Sequence, residues 1–159
     1  MQYTDDISIE RLTPDARAIA TVAEWTYATW GHLSPEINRH SWLAETRANA
    51  GKGGVPSVFA AYLNGDAVGT ASLVVQDMTV RPALTPWLAS VYVCSDARGR
   101  GIASALVRRV EQEARDAGLT RFYLYTPDQQ RLYRRLGWQA QEDLNYRAED
   151  VTIMTRGLA

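Results

Sequence analysis

The sequence has 159 residues, which is enough for one domain with a full hydrophobic core. Apolar residues make up 46% of it and charged residues 22%, the usual balance of a water-soluble globular protein. The net charge of −1 gives no overall field that would attract nucleic acid or an anionic membrane surface, so both classes of partner are disfavoured.

Cysteine usage and apolar runs indicate where the protein works. Cys94 is the only cysteine, so an internal disulfide is impossible and a reducing compartment, the cytoplasm, is expected. The acidic start MQYTDDISIE lacks the apolar core of a signal peptide. No apolar run approaches the roughly 20 residues needed to span a bilayer. We therefore expect one cytoplasmic domain over residues 1–159, working as a monomer or homodimer.

The first half of the chain predicts a strand, two helices and a hairpin. Thr13-Pro14-Asp15 and Ser34-Pro35-Glu36 each combine a capping hydroxyl, a first-turn proline and an acid, which are start signals for a helix. Asn64-Gly65 between two apolar runs is typical of a tight hairpin turn. The predicted elements are a strand over 7–12, a helix from 14 to about 30, a helix from 35 to near 51, and strands over 58–63 and 68–75.

The second half predicts a β-α-β unit, a short helix and a final hairpin. Apolar residues at four-residue spacing follow Gly101 and end at Gly118, which indicates an amphipathic helix with a glycine C-cap. The predicted elements are strands over 87–94 and 122–125 around that helix, a helix over 126–136, and strands over 138–143 and 151–156. A right-handed crossover makes the first two of these strands parallel. The fold class is therefore α/β (α+β), with a mixed sheet of about six to seven strands and helices on both faces.

Glycine and arginine alternate between the strand over 87–94 and the helix that follows it. A turn, a nucleic-acid patch and a phosphate cradle would each use such residues. Glycines allow a close approach to the backbone, and the start of a helix offers unpaired N–H groups to an anion. The spacing is neither that of a Walker loop nor GxGxxG. The residues that would form the cradle are Arg98, Gly99, Arg100, Gly101, Ile102, Ala103 and Ser104.

Two motifs carry a resemblance to a known family. Arg98-x-x-Gly101-x-Ala103 matches the R/Q-x-x-G-x-G/A signature, and the segment from Tyr133 to Gly137-Trp138 matches Y-x-x-x-G-[FW]. Over nearly its whole length the chain resembles the GNAT superfamily of N-acetyltransferases. The resemblance implies acetyl-CoA as the cofactor, with its pyrophosphate on the loop at 98–104. It also implies a bulged strand that splays from its parallel neighbour, so that the pantetheine arm can lie along the exposed edge.

Further cofactor contacts follow from the same resemblance. The strand edge would be supplied by Val91, Val93 and Cys94. Thr126 and Gln129 stand where the family often has asparagine and alanine, which alters details of the pantetheine contacts. The choice between acetyl-CoA and a longer acyl-CoA stays open at this point.

The resemblance implies a general acid but no obvious base. Tyr133 stands where the family places the acid that protonates the leaving thiolate, and a backbone N–H near Val93 would stabilise the oxyanion. The strand WLASVYVC has no carboxylate, and Ser90 is its only aliphatic hydroxyl. Deprotonation would then use ordered water helped by Asp77 or Glu24, or by backbone carbonyls.

Four side chains are candidates for the acceptor site: Trp30, His32, Asp77 and Trp87. Asp77 would pair with an ammonium, or Arg81 with a carboxylate, and the tryptophans could equally belong to the core. His, Cys and Asp residues do not show metal-ligand spacing, so no metal is predicted.

The sequence thus predicts an N-acetyltransferase that moves an acetyl group from acetyl-CoA to a primary amine of a small molecule or peptide. Direct attack in a ternary complex is expected, because no nucleophilic cysteine is placed to carry the acetyl group. The alternative is a catalytically silent acyl-CoA-binding sensor. RNA binding through the RGRG run is disfavoured by the acidic residues around it, which are Asp96, Glu111, Glu113 and Asp116.

Overall fold

The computed structural model describes residues 6–159, so half of the acidic start of the chain lies outside the described residues. The described part contains seven strands and four α-helices, in the predicted order. They are β1 (Ile7–Arg11), α1 (Ala18–Trp30), α2 (Arg39–Asn49), β2 (Ser57–Leu63), β3 (Asp66–Val74), β4 (Trp87–Val93), α3 (Ile102–Asp116), β5 (Arg121–Thr126), α4 (Gln130–Arg135), β6 (Gln139–Tyr146) and β7 (Glu149–Gly157).

Three helices begin later than the sequence predicts. The Thr13 hydroxyl bonds the Asp15 carboxylate at 2.7 Å in a turn, and α1 starts only at Ala18. α2 is capped by Asn38, whose side chain accepts the Ser41 N–H at 2.8 Å. The predicted start of α4 instead forms a turn that leads into the helix at Gln130. Proline and acidic residues favour tight turns as well as helix starts, so these signals do not separate the two.

The seven strands form one mixed sheet in the order β1-β2-β3-β4-β5-β7-β6. Alternate residues of β2 face opposite layers, as the two-residue period of a strand requires. Phe59 packs in the cluster that contains Leu106 and Val110 of α3, whereas Val58 packs with Ile19 of α1. Helices therefore cover both faces, which confirms the predicted fold class.

Strands β4 and β5 are parallel and separate almost at once. Trp87 and Tyr123 are the single laddered pair described between them, and the Tyr123 N–H donates to the Pro86 carbonyl at 3.1 Å. Against β3, strand β4 has one extra residue, because Thr70 pairs with Tyr92 whereas Ser72 pairs with Ala89. The predicted bulge and splay are confirmed, and together they open a V-shaped cleft in the middle of the sheet.

The loop between β3 and β4 lies against the C-terminal hairpin formed by β6 and β7. Its Met78 is 1% exposed and packs in a cluster with Ile153 of β7. The Thr79 N–H donates to the Tyr146 hydroxyl at 3.2 Å. These contacts hold the loop beside one end of the cleft. None of the helices within residues 6–159 is long and apolar enough to cross a membrane.

Candidate active site

The glycine loop adopts a conformation that only small residues accept easily. Gly99 has a φ of 80° and Gly101 a φ of 79°, both in the left-handed region. A Cβ atom placed on either glycine would meet no atom within 4 Å, so open space borders both. Helix α3 begins at Ile102, directly after the loop. The unpaired N–H groups of its first turn therefore adjoin this open space.

A cavity of about 300 Å³ lies beside this loop and has walls from three elements. The loop contributes Arg98, Gly99 and Gly101, the first turn of α3 contributes Ile102, Ala103 and Ser104, and helix α4 contributes Leu132 and Arg135. The Arg98 Nε atom donates to the Val93 carbonyl at 3.0 Å, which ties the loop to the end of β4. Arg100 is exposed and does not line the cavity.

Arg135 is a candidate site residue that the sequence analysis missed. It lies on α4, so its position opposite the glycine loop depends on tertiary packing. No ion pair or hydrogen bond is made by its side chain within the described residues, and its guanidinium is available to an anion in the cavity. The only sequence signal is its place inside LYRRLGW, where Arg134 would have been an equal choice.

A second, larger cavity of about 1300 Å³ fills the cleft between the splayed strands. Strand β4 lines it with Ser90, Val91, Tyr92 and Val93, and β5 lines it with Leu124, Tyr125 and Thr126. Ser90 has a φ of 57°, an uncommon value for serine, and it occupies the bulge. Arg98 and Ala103 line both cavities, so the glycine loop borders the cleft.

Tyr133 lies on a wall of this cleft. It is 7% exposed and makes an edge contact with Trp138, with ring centroids 6.1 Å apart. Burial, with a contribution from Asp128, raises its pKa to about 12, so the hydroxyl stays protonated at neutral pH. Tyr133 therefore has the protonation state that a hydrogen-bond or proton donor needs.

Thr126 and Gln129, at the end of β5, also line the cleft. The Thr126 hydroxyl accepts the N–H groups of Asp128 and Gln129, at 3.4 and 3.0 Å. Thr126 thus shapes the turn before α4, while Gln129 is exposed at the cleft.

The end of the cleft beside the β3–β4 loop is acidic and aromatic. Its carboxylates are Glu45 of α2, Asp77 of the loop and Glu149 of β7, and its aromatic side chains are Trp30, Trp42, Tyr125 and Tyr146. Burial, the largest cause, and the like charge of Glu45 raise the pKa of Asp77 to about 8, against an opposing effect of Arg147.

Arg147 spans this acidic end. It lies in the turn between β6 and β7, and its guanidinium donates to the Leu33 carbonyl at 2.7 Å and to the Ser34 hydroxyl at 3.1 Å. The hairpin turn is thereby joined to the segment after α1. We refer to the part of the cleft lined by Glu45, Asp77, Arg147 and Glu149 as the acidic end.

The structure does not bring all the predicted residues to the cleft. Trp87 is fully buried against Met78 and Ile153, and its indole N–H donates to the Leu84 carbonyl at 2.7 Å, because it starts a central strand. His32 is exposed and does not line either cavity, although Trp30 does. Cys94 packs against the main core, with its N–H bonded to Val68.

Two charged candidates have partners elsewhere. Arg81 forms a bidentate pair with Glu142 of β6, so it is not presented to an acceptor carboxylate. Glu24 pairs with Arg39 at 3.0 Å and lies outside the cleft. Within residues 6–159, the His, Cys, Asp and Glu side chains form no cluster of three or more that could hold a metal ion.

Solved structures share this fold at low sequence identity. The yncA protein of Salmonella typhimurium, a candidate acetyltransferase solved with its cofactor acetyl-CoA, is 22% identical, with a TM-score of 0.73 over 97% of this chain and 95% of that one. An aminoglycoside 6'-N-acetyltransferase complexed with coenzyme A is 16% identical, with a TM-score of 0.75 over 96% and 97%. The aminoglycoside 6'-N-acetyltransferase of Enterococcus faecium is 17% identical, with a TM-score of 0.73 over 96% and 97%.

Sequence comparison gives the family directly. No curated protein is significantly similar to this chain. Residues 19–138, however, match the sequence model of the acetyltransferase (GNAT) family. The matched segment is well over half of the chain and includes the glycine loop, both splayed strands and Tyr133. The chain therefore belongs to the GNAT acetyltransferase family, whose cofactor is acetyl-CoA.

Proposed function

We propose that this protein is an N-acetyltransferase that moves an acetyl group from acetyl-CoA to a primary amine of a small molecule or peptide. One observation carries the proposal: a single cleft is lined by the splayed strands, by Tyr133 and by the acidic end. A thioester and a cationic amine need these two environments within reach of each other. The three carboxylates and their aromatic neighbours favour a cationic acceptor over an anionic one.

The cofactor-binding residues fit a phosphate-bearing group with an extended arm. The open space at Gly99 and Gly101 admits a pyrophosphate to the first turn of α3, with Arg98 and Arg135 supplying positive charge. The edge of β4 at Val91 and Val93 faces the cleft, where the amide groups of pantetheine could pair with it.

Acetyl-CoA supplies a thioester whose acetyl carbon accepts the lone pair of an amine. The Tyr133 hydroxyl donates a proton to the sulfur as it leaves, since its pKa keeps it protonated until then. A backbone N–H of the bulged part of β4, at Val91 to Val93, stabilises the developing negative charge on the carbonyl oxygen. The Ser90 hydroxyl, in the same bulge, orients the acceptor nitrogen.

The acceptor is expected to be a compound with one or more amino groups. Two of the similar structures are aminoglycoside 6'-N-acetyltransferases, so amino sugars belong in a test panel beside polyamines, amino acids and peptides. An acidic end with aromatic walls suits an acceptor with more than one ammonium group, because each carboxylate can pair with a different charge.

The test is release of free coenzyme A thiol during incubation with this panel. Tyr133→Phe should lower kcat by about 100-fold or more, the usual loss for a general acid. Its affinity for coenzyme A, measured by calorimetry, should stay close to that of the unaltered protein. Tyr62→Phe is the matched control, because Tyr62 packs against the α1 layer and lies outside the cleft.

Two outcomes would contradict the proposal. Tight binding of coenzyme A without turnover of any amine would indicate the silent sensor. An unchanged kcat in Tyr133→Phe would remove this tyrosine from the acid role while leaving the reaction itself in place.

A further inference from the structure

Acetyl transfer to an ammonium needs a group that takes a proton from nitrogen, and β4 has no carboxylate for this task. The described cleft has four carboxylates: Glu45, Asp77, Asp128 and Glu149. Asp128 lies near Tyr133, where it raises the pKa of that acid, so it is at the leaving-group side. Glu45 is exposed on α2. Asp77 and Glu149 are the partly buried carboxylates of the acidic end.

The backbone around Asp77 is firmly held. Asp77 follows β3 after two residues, and the next residue, Met78, is anchored in the core. Thr79 is bonded through its N–H to the Tyr146 hydroxyl. The Asp77 side chain therefore projects into the cleft from a fixed position, and its carboxylate makes no hydrogen bond within the described residues. An unbonded carboxylate in a cleft keeps its lone pairs available for a ligand proton.

Charged and titratable groups face Asp77 from four elements: Glu45 of α2, Tyr125 of β5, Arg147 of the hairpin turn and Glu149 of β7. Tyr146 of β6 also lines the cleft there, with its hydroxyl occupied by Thr79. Arg147 is the only cation among them; its charge lowers the pKa of Asp77, but its Nη1 atom donates to Leu33 and Ser34 and lies 3.8 Å from Glu36. The Asp77 carboxylate therefore has no cation hydrogen-bonded to it within the described residues, and a cationic amine would supply one.

We propose that Asp77 is the general base that accepts the proton of the acceptor ammonium, an inference that rests on the proposed N-acetyltransferase function. The Asp77 carboxylate takes one proton from R–NH3⁺. The freed nitrogen lone pair forms the C–N bond, and the C–S bond breaks. Tyr133 protonates the sulfur and regains a proton from the nitrogen, directly or through water. Asp77 then releases its proton to solvent, so each cycle yields the amide, the free thiol and one proton.

The shifted pKa of Asp77, about 8, supports this role. A base is most effective when its pKa lies near the working pH, and an ordinary aspartate is too weak a base to deprotonate an ammonium readily. Desolvation, the largest cause, and the like charge of Glu45 make the carboxylate a stronger base.

The experiment measures kcat and kcat/KM from pH 6 to 10 with the best acceptor of the panel. In the unaltered protein, kcat/KM should rise tenfold per pH unit and level off near pH 8, because kcat/KM reports the pKa of the protein without acceptor. Asp77→Asn should lose about 100-fold or more in kcat at pH 7.5, and its kcat should keep rising toward the pKa of the amine itself. Asp77→Glu should recover part of the rate. Glu45→Gln should move the levelling point to lower pH, because it removes a like charge beside Asp77.

Asp66→Asn is the matched control, since it makes the same change at an exposed position beside the β2–β3 turn. A second readout does not depend on turnover: the ¹³C carboxyl resonance that disappears in Asp77→Asn should titrate near pH 8 in the unaltered protein. The affinity for coenzyme A should be the same in the unaltered protein and in Asp77→Asn.

A resonance that titrates near pH 4 would overturn the proposal. So would an Asp77→Asn variant with an unaltered kcat profile, or one that loses coenzyme A binding, which would mark a structural role. Failure of the unaltered protein to acetylate any amine while binding coenzyme A would instead overturn the proposed function, and this inference with it.

Discussion

Replacing Asp77 by asparagine should stabilise the folded protein, and the gain should grow with pH. The pKa of Asp77 rises from its ordinary 3.8 to about 8 on folding, so the folded state binds the proton more tightly than the unfolded state does. Between about pH 4 and pH 8 the unfolded chain therefore binds fewer protons, and stability falls as the pH rises. Asparagine keeps the shape of the side chain and carries no charge at any of these pH values.

The shift sets the size of the effect. The largest gain in the free energy of unfolding that Asp77→Asn can give is about 6 kcal/mol above pH 8, about 3 kcal/mol near pH 6, and close to zero near pH 4. Water in the open cleft screens the charge and brings the measured gain below this ceiling. Even half of it would be a large share of the roughly 5–15 kcal/mol by which domains are stable.

Urea unfolding of the unaltered protein and of Asp77→Asn at pH 5, 6.5 and 8 tests this. The difference in the free energy of unfolding should widen steadily across the series. Asp66→Asn, at an exposed site, should track the unaltered protein throughout. Parallel curves for the unaltered protein and Asp77→Asn would refute the raised pKa, and the argument for the base with it.

Gly101→Ala should weaken coenzyme A binding, measured by calorimetry, about tenfold or more, because its Cβ would occupy the open space beside the loop. Gly118→Ala is the control: Gly118 has a φ of 77° and similarly open surroundings, so this variant should lose stability but keep its affinity for coenzyme A. Arg135→Ala should weaken coenzyme A binding and reduce its salt dependence, whereas Arg131→Ala, outside the cavity on the same helix, should do neither. Trp87→Phe should lower the unfolding free energy by about 2 kcal/mol or more, through its lost hydrogen bond and the space that the smaller ring leaves in the core, while kcat is retained.

Local signals in the sequence predicted the order of strands and helices but placed several boundaries wrongly. Thr13-Pro14-Asp15 and Ser34-Pro35-Glu36 have the composition of helix starts, yet both form turns. The hydrogen bonds that decide between the two uses are made by neighbours such as Asn38, which lies four residues beyond Ser34. The last hairpin is also longer than its apolar pattern predicts, because β6 is mostly exposed and the charged residues Glu142 and Asp143 interrupt the apolar pattern in its sequence.

Side-chain environment separated the two tryptophan candidates. Trp30 and Trp87 both border predicted loops, so their sequence positions did not distinguish a cleft wall from the core. In the fold, Trp30 lines the cleft at the end of α1. Trp87 starts a central strand and is covered by the β3–β4 loop and by β7. The two tryptophans differ because residues distant in the sequence bury Trp87 and leave Trp30 at the cleft.

The sequence by itself determined the family of this protein and predicted its candidate cofactor site. Its glycine loop, the start of α3 and the Tyr133 segment are short motifs whose function depends mainly on local backbone geometry and small side chains. Only the tertiary structure brought together the residues of the acidic end, the proposed acceptor site, because Glu45, Asp77, Arg147 and Glu149 come from distant parts of the chain. They meet where the sheet order sets β7 beside β5 and lays the β3–β4 loop on the final hairpin. The pKa of Asp77 depends on this folded arrangement, since the desolvation and the neighbouring charges that shift it exist only once the chain has folded.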